Sequence, residues 1–168
     1  MNKMKEIRIE KITLNVGAGK EQTKLEKGMK LIKNLTGIEP VKTYTKKRIP
    51  TWGLRPGLPI GCRITLRGIK AHDVLERLLK AKDNQLKESQ FDNNGNIAFG
   101  VHEYIDIPGL EYDPKIGIMG LEVCVTLERP GFRIKRKVNS KKIGKNHLLK
   151  KPEAIEYMKK TFKIETKK

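Results

Sequence analysis

The sequence predicts an α+β fold: an antiparallel β-sheet with helices packed on one face and long basic loops. Three observations carry this reading. Strand patterns outnumber helical ones, several strand patterns adjoin with no helix between them, and the helical patterns each present one apolar stripe that a sheet face could bury. A chain of 168 residues is read as one domain, 1–168, with a long loop at 48–59 and a basic C-terminal segment at 132–168.

Ile7 and Ile9, then Ile12, Leu14 and Val16, alternate with polar residues in two phases, so a strand is expected from about Lys11, after a bulge or a separate lead-in. It ends at Gly17-Ala18-Gly19. Leu25, Met29, Ile32 and Leu35 follow helical spacing between Lys20 and Leu35, and Gly37 stands where a C-terminal cap glycine belongs. Val41 to Lys47 has strand composition. So does Ile60 to Arg67, where Cys62, Ile64 and Leu66 alternate with Arg63, Thr65 and Arg67, one face for a core and the other polar and basic. Val74, Leu75, Leu78 and Leu79 line one face of a helix over Ala71 to Lys82. After a turn at Asn93-Asn94-Gly95-Asn96, a strand region is expected from Ile97 to Ile107, and another where Leu121, Val123, Val125 and Leu127 alternate with Cys124 and Thr126. Glu128-Arg129-Pro130-Gly131 reads as a hairpin turn leading to a basic last strand through Lys137. Pro152 opens a short C-terminal helix with Ile155, Met158 and Phe162 on one face.

Charge is the second signal. The chain carries a formal charge of +18, with 33% charged and 37% hydrophobic residues. Residues 40–67 hold seven basic side chains, Lys42, Lys46, Lys47, Arg48, Arg55, Arg63 and Arg67, and no acidic one. Residues 130–151 hold nine, among them Arg133, Lys135, Arg136, Lys137, Lys141, Lys142 and Lys145, again with no acid. Residues 83–122 reverse the sign with eight acids against Lys87 and Lys115. Short charge runs are usually solvated faces. Acid-free stretches of this length would repel themselves for no gain in water alone, which points to a polyanionic partner, nucleic acid first. The acidic middle is either solvated surface or a docking face for a basic protein.

Catalytic and cofactor classes fare poorly. Val16-Gly17-Ala18-Gly19-Lys20 looks like a phosphate-binding loop, but the position five before its second glycine is Leu14 and the residue after the lysine is Glu21. The dinucleotide pattern fails at Gln22. A tight strand-to-helix turn, its amides offered to RNA phosphates, is the expectation instead. His72, His102 and His147 make no ligand cluster with Cys62 and Cys124, so no metal and no cofactor are expected, and the protein is read as not an enzyme. Both cysteines are read as buried thiols of a reducing compartment. With no run of about 18 apolar residues and charged first residues, neither a membrane span nor secretion is indicated, and a cytoplasmic location is expected.

The segment Arg48 to Pro59 is the strongest local signal. It exposes the single tryptophan, Trp52, between Arg48 and Arg55 on a proline and glycine scaffold. Trp52 can stack on a base or fold back onto the core. His147, inside a lysine cluster, is read as a phosphate contact or a plain surface residue.

Four runs, ITLNVGAGKE, GIEPVKTYTKKRIPTWGLRPGLPIGCRITLRG, GIMGLEVCVTLERPGFR and GKNHLLKKPEAIEYM, resemble the large-subunit ribosomal protein L-five family, its archaeal type in particular, over nearly the whole chain. The resemblance implies a ribosome-bound protein whose sheet and loops grip 5S rRNA and a neighbouring helix of the 23S-type rRNA in the central protuberance, beside other proteins of that region. It implies that Asn15 and Thr65 hydrogen-bond 5S rRNA and that Lys42, Thr43, Thr45, Lys46, Lys47, Arg63 and Arg67 surround them. It places Arg48, Trp52, Arg55, Pro56 and Gly57 toward the peptidyl-site tRNA. Arg133, Lys135, Arg136, Lys137, Lys141, Lys142, Lys145 and His147 are taken as further rRNA contacts. Glu111, Tyr112, Asp113 and Lys115 fall in an intersubunit bridge that meets a basic protein of the small-subunit head. Glu39 is an acid where bacterial relatives often differ, so no RNA contact is carried onto it. The charge pattern alone equally allows a free-standing RNA-binding module, an RNA chaperone or translation regulator.

Overall fold

A computed structural model describes residues 2–167. Ten elements of regular structure position the rest: strand β1 (Arg8–Gly17), helix α1 (Gln22–Thr36), β2 (Val41–Tyr44), β3 (Pro59–Leu66), α2 (Ile69–Lys80), β4 (Gln85–Lys87), β5 (Ile97–Val101), β6 (Leu121–Glu128), α3 (Lys151–Phe162) and β7 (Glu165–Lys167). Five strands form one sheet in the order β2-β3-β1-β6-β5, every pair antiparallel. The α+β expectation holds.

The two phases of β1 have a single cause. Ile9 pairs with Leu127 and Lys11 with Thr126, so Glu10 is an extra residue in a bulge, and the alternation restarts beyond it with Ile12, Leu14 and Val16 on the buried side. Those three join Cys62, Ile64, Leu66, Val123, Val125 and Leu127 in one apolar face. α1 lays Leu25, Leu31, Ile32 and Leu35 on that face. It comes close at Gly28, where a Cβ would stand 2.9 Å from Val16 Cγ1 and 3.3 Å from Cys62 Sγ. Gly37 closes the helix in the left-handed conformation, its N–H donating to the Lys33 carbonyl at 2.8 Å. α2 contributes Ala71, Val74, Leu75, Leu78 and Leu79, and α3 contributes Ala154, Met158 and Phe162.

Several boundaries depart from the sequence reading. The strand expected from Ile97 to Ile107 stops at Val101; a 3-10 turn at Tyr104–Asp106 follows, because Tyr104 and Ile107 turn into the core. The strand expected through Lys47 stops at Tyr44. No hairpin forms after β6: Arg129 is buried, its guanidinium 2.8 Å from Glu153, and Phe132–Arg136 is a 3-10 turn in place of a strand. Cys124 is exposed, since it lies on the side of β6 away from the helices. One pairing has no signal in the sequence patterns. β7 returns to lie parallel to β4, Gln85 beside Glu165 and Lys87 beside Lys167.

Candidate nucleic-acid interface

With the helices on one face, the other is left open. Register puts its side chains in rows across the strands: Arg63, Asn15, Glu122 and Gly100 in one, Thr65, Thr13, Cys124 and Ala98 in the next, Lys11 and Thr126 below. Arg63, Thr65, Cys124 and Ala98 are exposed, with Asn15 and Thr13 half-buried between them. The row structure follows from the period-two pleat, which sends each residue opposite a buried one to this side.

The lower corner of the open face holds two carboxylates among arginines. Glu10 and Glu128 side chains are 6% and 9% exposed. Glu128 takes Arg8 at 2.7 Å and also pairs with Arg136; Glu10 takes Arg136 at 3.1 Å and Arg67 at 3.5 Å. The bulge that expels Glu10 from the ladder supplies one of these carboxylates. The cluster fixes three guanidiniums at the sheet corner with their charge only partly offset, a surface suited to phosphate oxygens.

The expected site residues fall into distinct places. Asn15, Thr65 and Arg63 sit together on the open face, and Thr43 joins them from the β2 edge by pairing with Gly61. Lys42 does not: its partner is Cys62, which puts it on the helix side of the edge strand. Thr45 is half-committed, its hydroxyl donating to the Leu58 carbonyl at 2.8 Å. Lys46, Lys47 and Arg48 are exposed on the run into the long loop.

That loop carries its own structure. Ile49 and Leu54 exchange two backbone hydrogen bonds at 3.0 Å, Gly57 N–H donates to Thr45, and Leu54 is buried. Gly53 and Gly57 adopt φ of 66° and 83°, which a Cβ would resist. Trp52 is left 67% exposed beside Arg55, so folding back onto the core is not its role. The glycine turn after β1 uses its amides internally: Ala18 and Gly19 N–H both donate to the Ile60 carbonyl, at 2.9 and 3.0 Å. They are not free for phosphate, contrary to expectation.

The basic C-terminal segment is anchored through Phe132, buried against His147, with Lys135 Nζ 5.2 Å over its ring. His147 Nε2 meets the Pro130 carbonyl at 2.9 Å, which makes the ring a tether for this segment. Arg136 is likewise held by the two carboxylates. Arg133, Lys137, Lys141, Lys142 and Lys145 are exposed. Asp113 is tied down on three sides: Lys30 Nζ at 2.8 Å, the Lys115 N–H at 2.9 Å, and its own N–H on the Tyr104 hydroxyl. The Lys30 ammonium holds its carboxyl below the usual value. Glu111, Tyr112 and Lys115 are the exposed members of that loop. Arg8, Lys11 and Thr13 escape both the charge count and the resemblance; only strand register reveals that they share the face with Asn15.

A family model described as "Ribosomal protein L5" matches residues 2–55, and a second, describing the C-terminus of the same ribosomal protein family, matches residues 59–160. The chain belongs to the ribosomal protein L5 family. Among its relatives, the large ribosomal subunit protein uL5 of Nanoarchaeum equitans is 51% identical over 92% of each chain. That of Sulfurisphaera tokodaii is 44% identical over 98% of this chain and 94% of the relative. That of Methanosphaera stadtmanae is 45% identical over 98% of both. The resemblance read from the four runs, to the archaeal type, is thereby borne out, and the open sheet face belongs to a ribosomal protein.

Proposed function

We propose that this large-subunit ribosomal protein binds 5S rRNA on the open face of its sheet and large-subunit rRNA through its basic C-terminal segment, within the central protuberance. The observation that carries the reading is the open face itself: a basic, hydroxyl- and amide-bearing surface on a +18 chain, with its phosphate-suited arginines at one corner and Asn15 and Thr65 at its centre. Lysines and arginines supply the salt-dependent attraction, while Asn15, Thr13 and Thr65 supply the positioned hydrogen bonds. The 48–59 loop, with Trp52 and Arg55 exposed, reaches the peptidyl-site tRNA. Glu111 and Tyr112 meet a basic protein of the small-subunit head, with Asp113 holding their loop in shape.

Retention of 5S rRNA against an equal mass of tRNA tests the central claim. Between 50 mM and about 0.2 M salt, purely electrostatic binding through 6–10 phosphates weakens roughly 10³- to 10⁵-fold. The expected result is selection of 5S rRNA at the higher salt. Equal retention of both RNAs would favour a free-standing RNA-binding module. For the bridge, Glu111→Ala is expected to leave 5S binding intact and weaken subunit joining in a sedimentation assay; unchanged joining would return Glu111 to plain surface.

A further inference from the structure

The row Arg63, Asn15, Glu122 ends on β5 at Gly100, and there the side chains stop. A cleft of about 410 Å³ opens between the end of β1, β5 and the segment entering β6. That is within the range of small-ligand sites, about 300–1,000 Å³. Two of its glycines have no reason inside the protein. Neither Gly17 nor Gly100 has positive φ; a Cβ on Gly17 would meet nothing within 4 Å, and one on Gly100 only the Leu121 carbonyl at 4.0 Å. Glycine weakens a strand and marks places where something approaches closely. Gly120 beside them differs, since its Cβ would lie 2.7 Å from two carbonyl oxygens.

The chemistry of the cleft is unlike the rest of the face. Glu122 is an exposed carboxylate on a surface built for a polyanion. Its Oε2 accepts from Asn15 Nδ2 at 2.9 Å, and among the described residues neither Glu122 Oε1 nor Asn15 Oδ1 has a side-chain donor. Two acceptors carried by hydrogen-bonded, paired side chains repel phosphate and match a donor-rich edge. In RNA the edge with two adjacent donors is the Watson–Crick side of guanine, N1–H and N2–H₂. His102 and Ile118, the latter 73% exposed, flank the cleft as a ring and an apolar wall for a base. Lys24 stands at the same cleft to meet the nucleotide's phosphate.

We propose that this cleft receives one unstacked guanine of the bound RNA, its Watson–Crick edge on Glu122 and Asn15 and its face against His102 and Ile118. The site rests on the RNA reading of the open face and adds base specificity to it. A plainer role for Glu122, orienting Asn15 and offsetting Arg63, makes the opposite forecast: Glu122→Gln then removes a repulsive charge and RNA binding holds or tightens. With a guanine in the cleft, the glutamine amide confronts N1–H or N2–H₂ with a second donor. Affinity falls by about tenfold while the salt slope stays unchanged.

The full chain bound to 5S rRNA is probed with kethoxal, which reacts with guanine N1 and N2. At least one guanine is expected to be unreactive in the wild-type complex and reactive in complexes of Glu122→Gln and of Gly100→Val, which fills the cleft; circular dichroism checks that both variants fold. An identical guanine footprint in all three, or Glu122→Gln binding as tightly as wild type, overturns the proposal. Should the wild-type chain fail to select 5S rRNA, the oligonucleotides UUGUU and UUIUU decide, inosine lacking the N2 amino group. Shifts of the Gly100 and Gly120 amide resonances with UUGUU that UUIUU does not reproduce keep the cleft and remove only the 5S reading. No such difference between the two removes both.

Discussion

Cys62 and Cys124 face opposite sides of the sheet, and burial sets their chemistry. Desolvation pushes the Cys62 thiol up to about 11, from an ordinary 9.0, while Cys124 stands exposed between Thr13 and Ala98. Iodoacetamide at mild alkaline pH is expected to label one thiol of the native chain, Cys124, as read by peptide mass. Bound 5S rRNA should then slow that labelling strongly, because Cys124 shares its row with Thr65. An unchanged rate in the complex would take the open face out of the interface. Glu153 makes a second residue-scale case. Burial pushes its carboxyl up, but the Lys150 N–H and the Arg129 guanidinium outweigh this and hold it below the ordinary 4.5. A depressed carboxylate contributes stability above its unfolded value and loses it as pH falls through the folded one. Glu153→Gln leaves the buried Arg129 without its counter-charge. Breaking a fully buried pair costs about 3–5 kcal/mol; with Glu153 39% exposed, about 2 kcal/mol is expected at pH 7 from urea midpoints, shrinking as pH falls below the ordinary 4.5.

Among the elements, α1 shows how tightly the helix layer is set. Alanine in place of glycine normally gains about 1 kcal/mol in a helix. At Gly28 the new Cβ would stand 2.9 Å from a methyl of Val16, itself buried and unable to swing away. Gly28→Ala is therefore expected to lower stability by about 1 kcal/mol net, measured by thermal or urea unfolding, despite the better helix former. The strand that carries Thr65 and the loop that carries Lys47 differ in kind. Lys47→Ala should lower the salt slope of 5S binding by about one, whereas Thr65→Ala should weaken binding with the slope intact. Identical slopes for wild type and Lys47→Ala would drop Lys47 from the contacts. The period-two and helical patterns make α1, α2, β3 and β6 legible, since each buries one regular face. The segments after Val101 and after Glu128 mislead because their apolar residues, Tyr104, Ile107 and Phe132, reach the core from irregular backbone. β4 and β7 are invisible for another reason: three-residue strands carry no period, and only α3 brings them together.

At the scale of the whole molecule, the division of charge along the chain becomes a division in space. The acid-free stretch 40–67 supplies the β2–β3 side of the open face and the long loop, and 130–151 wraps its lower corner through Arg136. Two acids outside the acidic middle, Glu10 and Glu128, hold the arginines of that corner. Neutralising them is expected to matter globally: Glu10→Gln with Glu128→Gln should raise the charge of the face yet weaken 5S binding at about 0.2 M salt, because unanchored guanidiniums must be ordered on binding. Tighter binding by the double variant would assign them to charge relief alone. Fold class, the two main helices, the basic polarity of β3 and the family were all readable from the chain, because burial periodicity, net charge and four long runs are local properties. Which side chains share the open face was not. Rows across a sheet depend on register, and register here depends on irregularities at Glu10 and after Thr43 and, between β1 and β6, on pairings of residues more than a hundred positions apart. Folding in three dimensions also settles that Lys42 lies on the helix side of the sheet, that the glycine turn spends its amides on Ile60, and that Glu122 stands at a cleft. Each follows from which neighbour a group finds, and a neighbour from a distant part of the chain leaves no mark on local sequence.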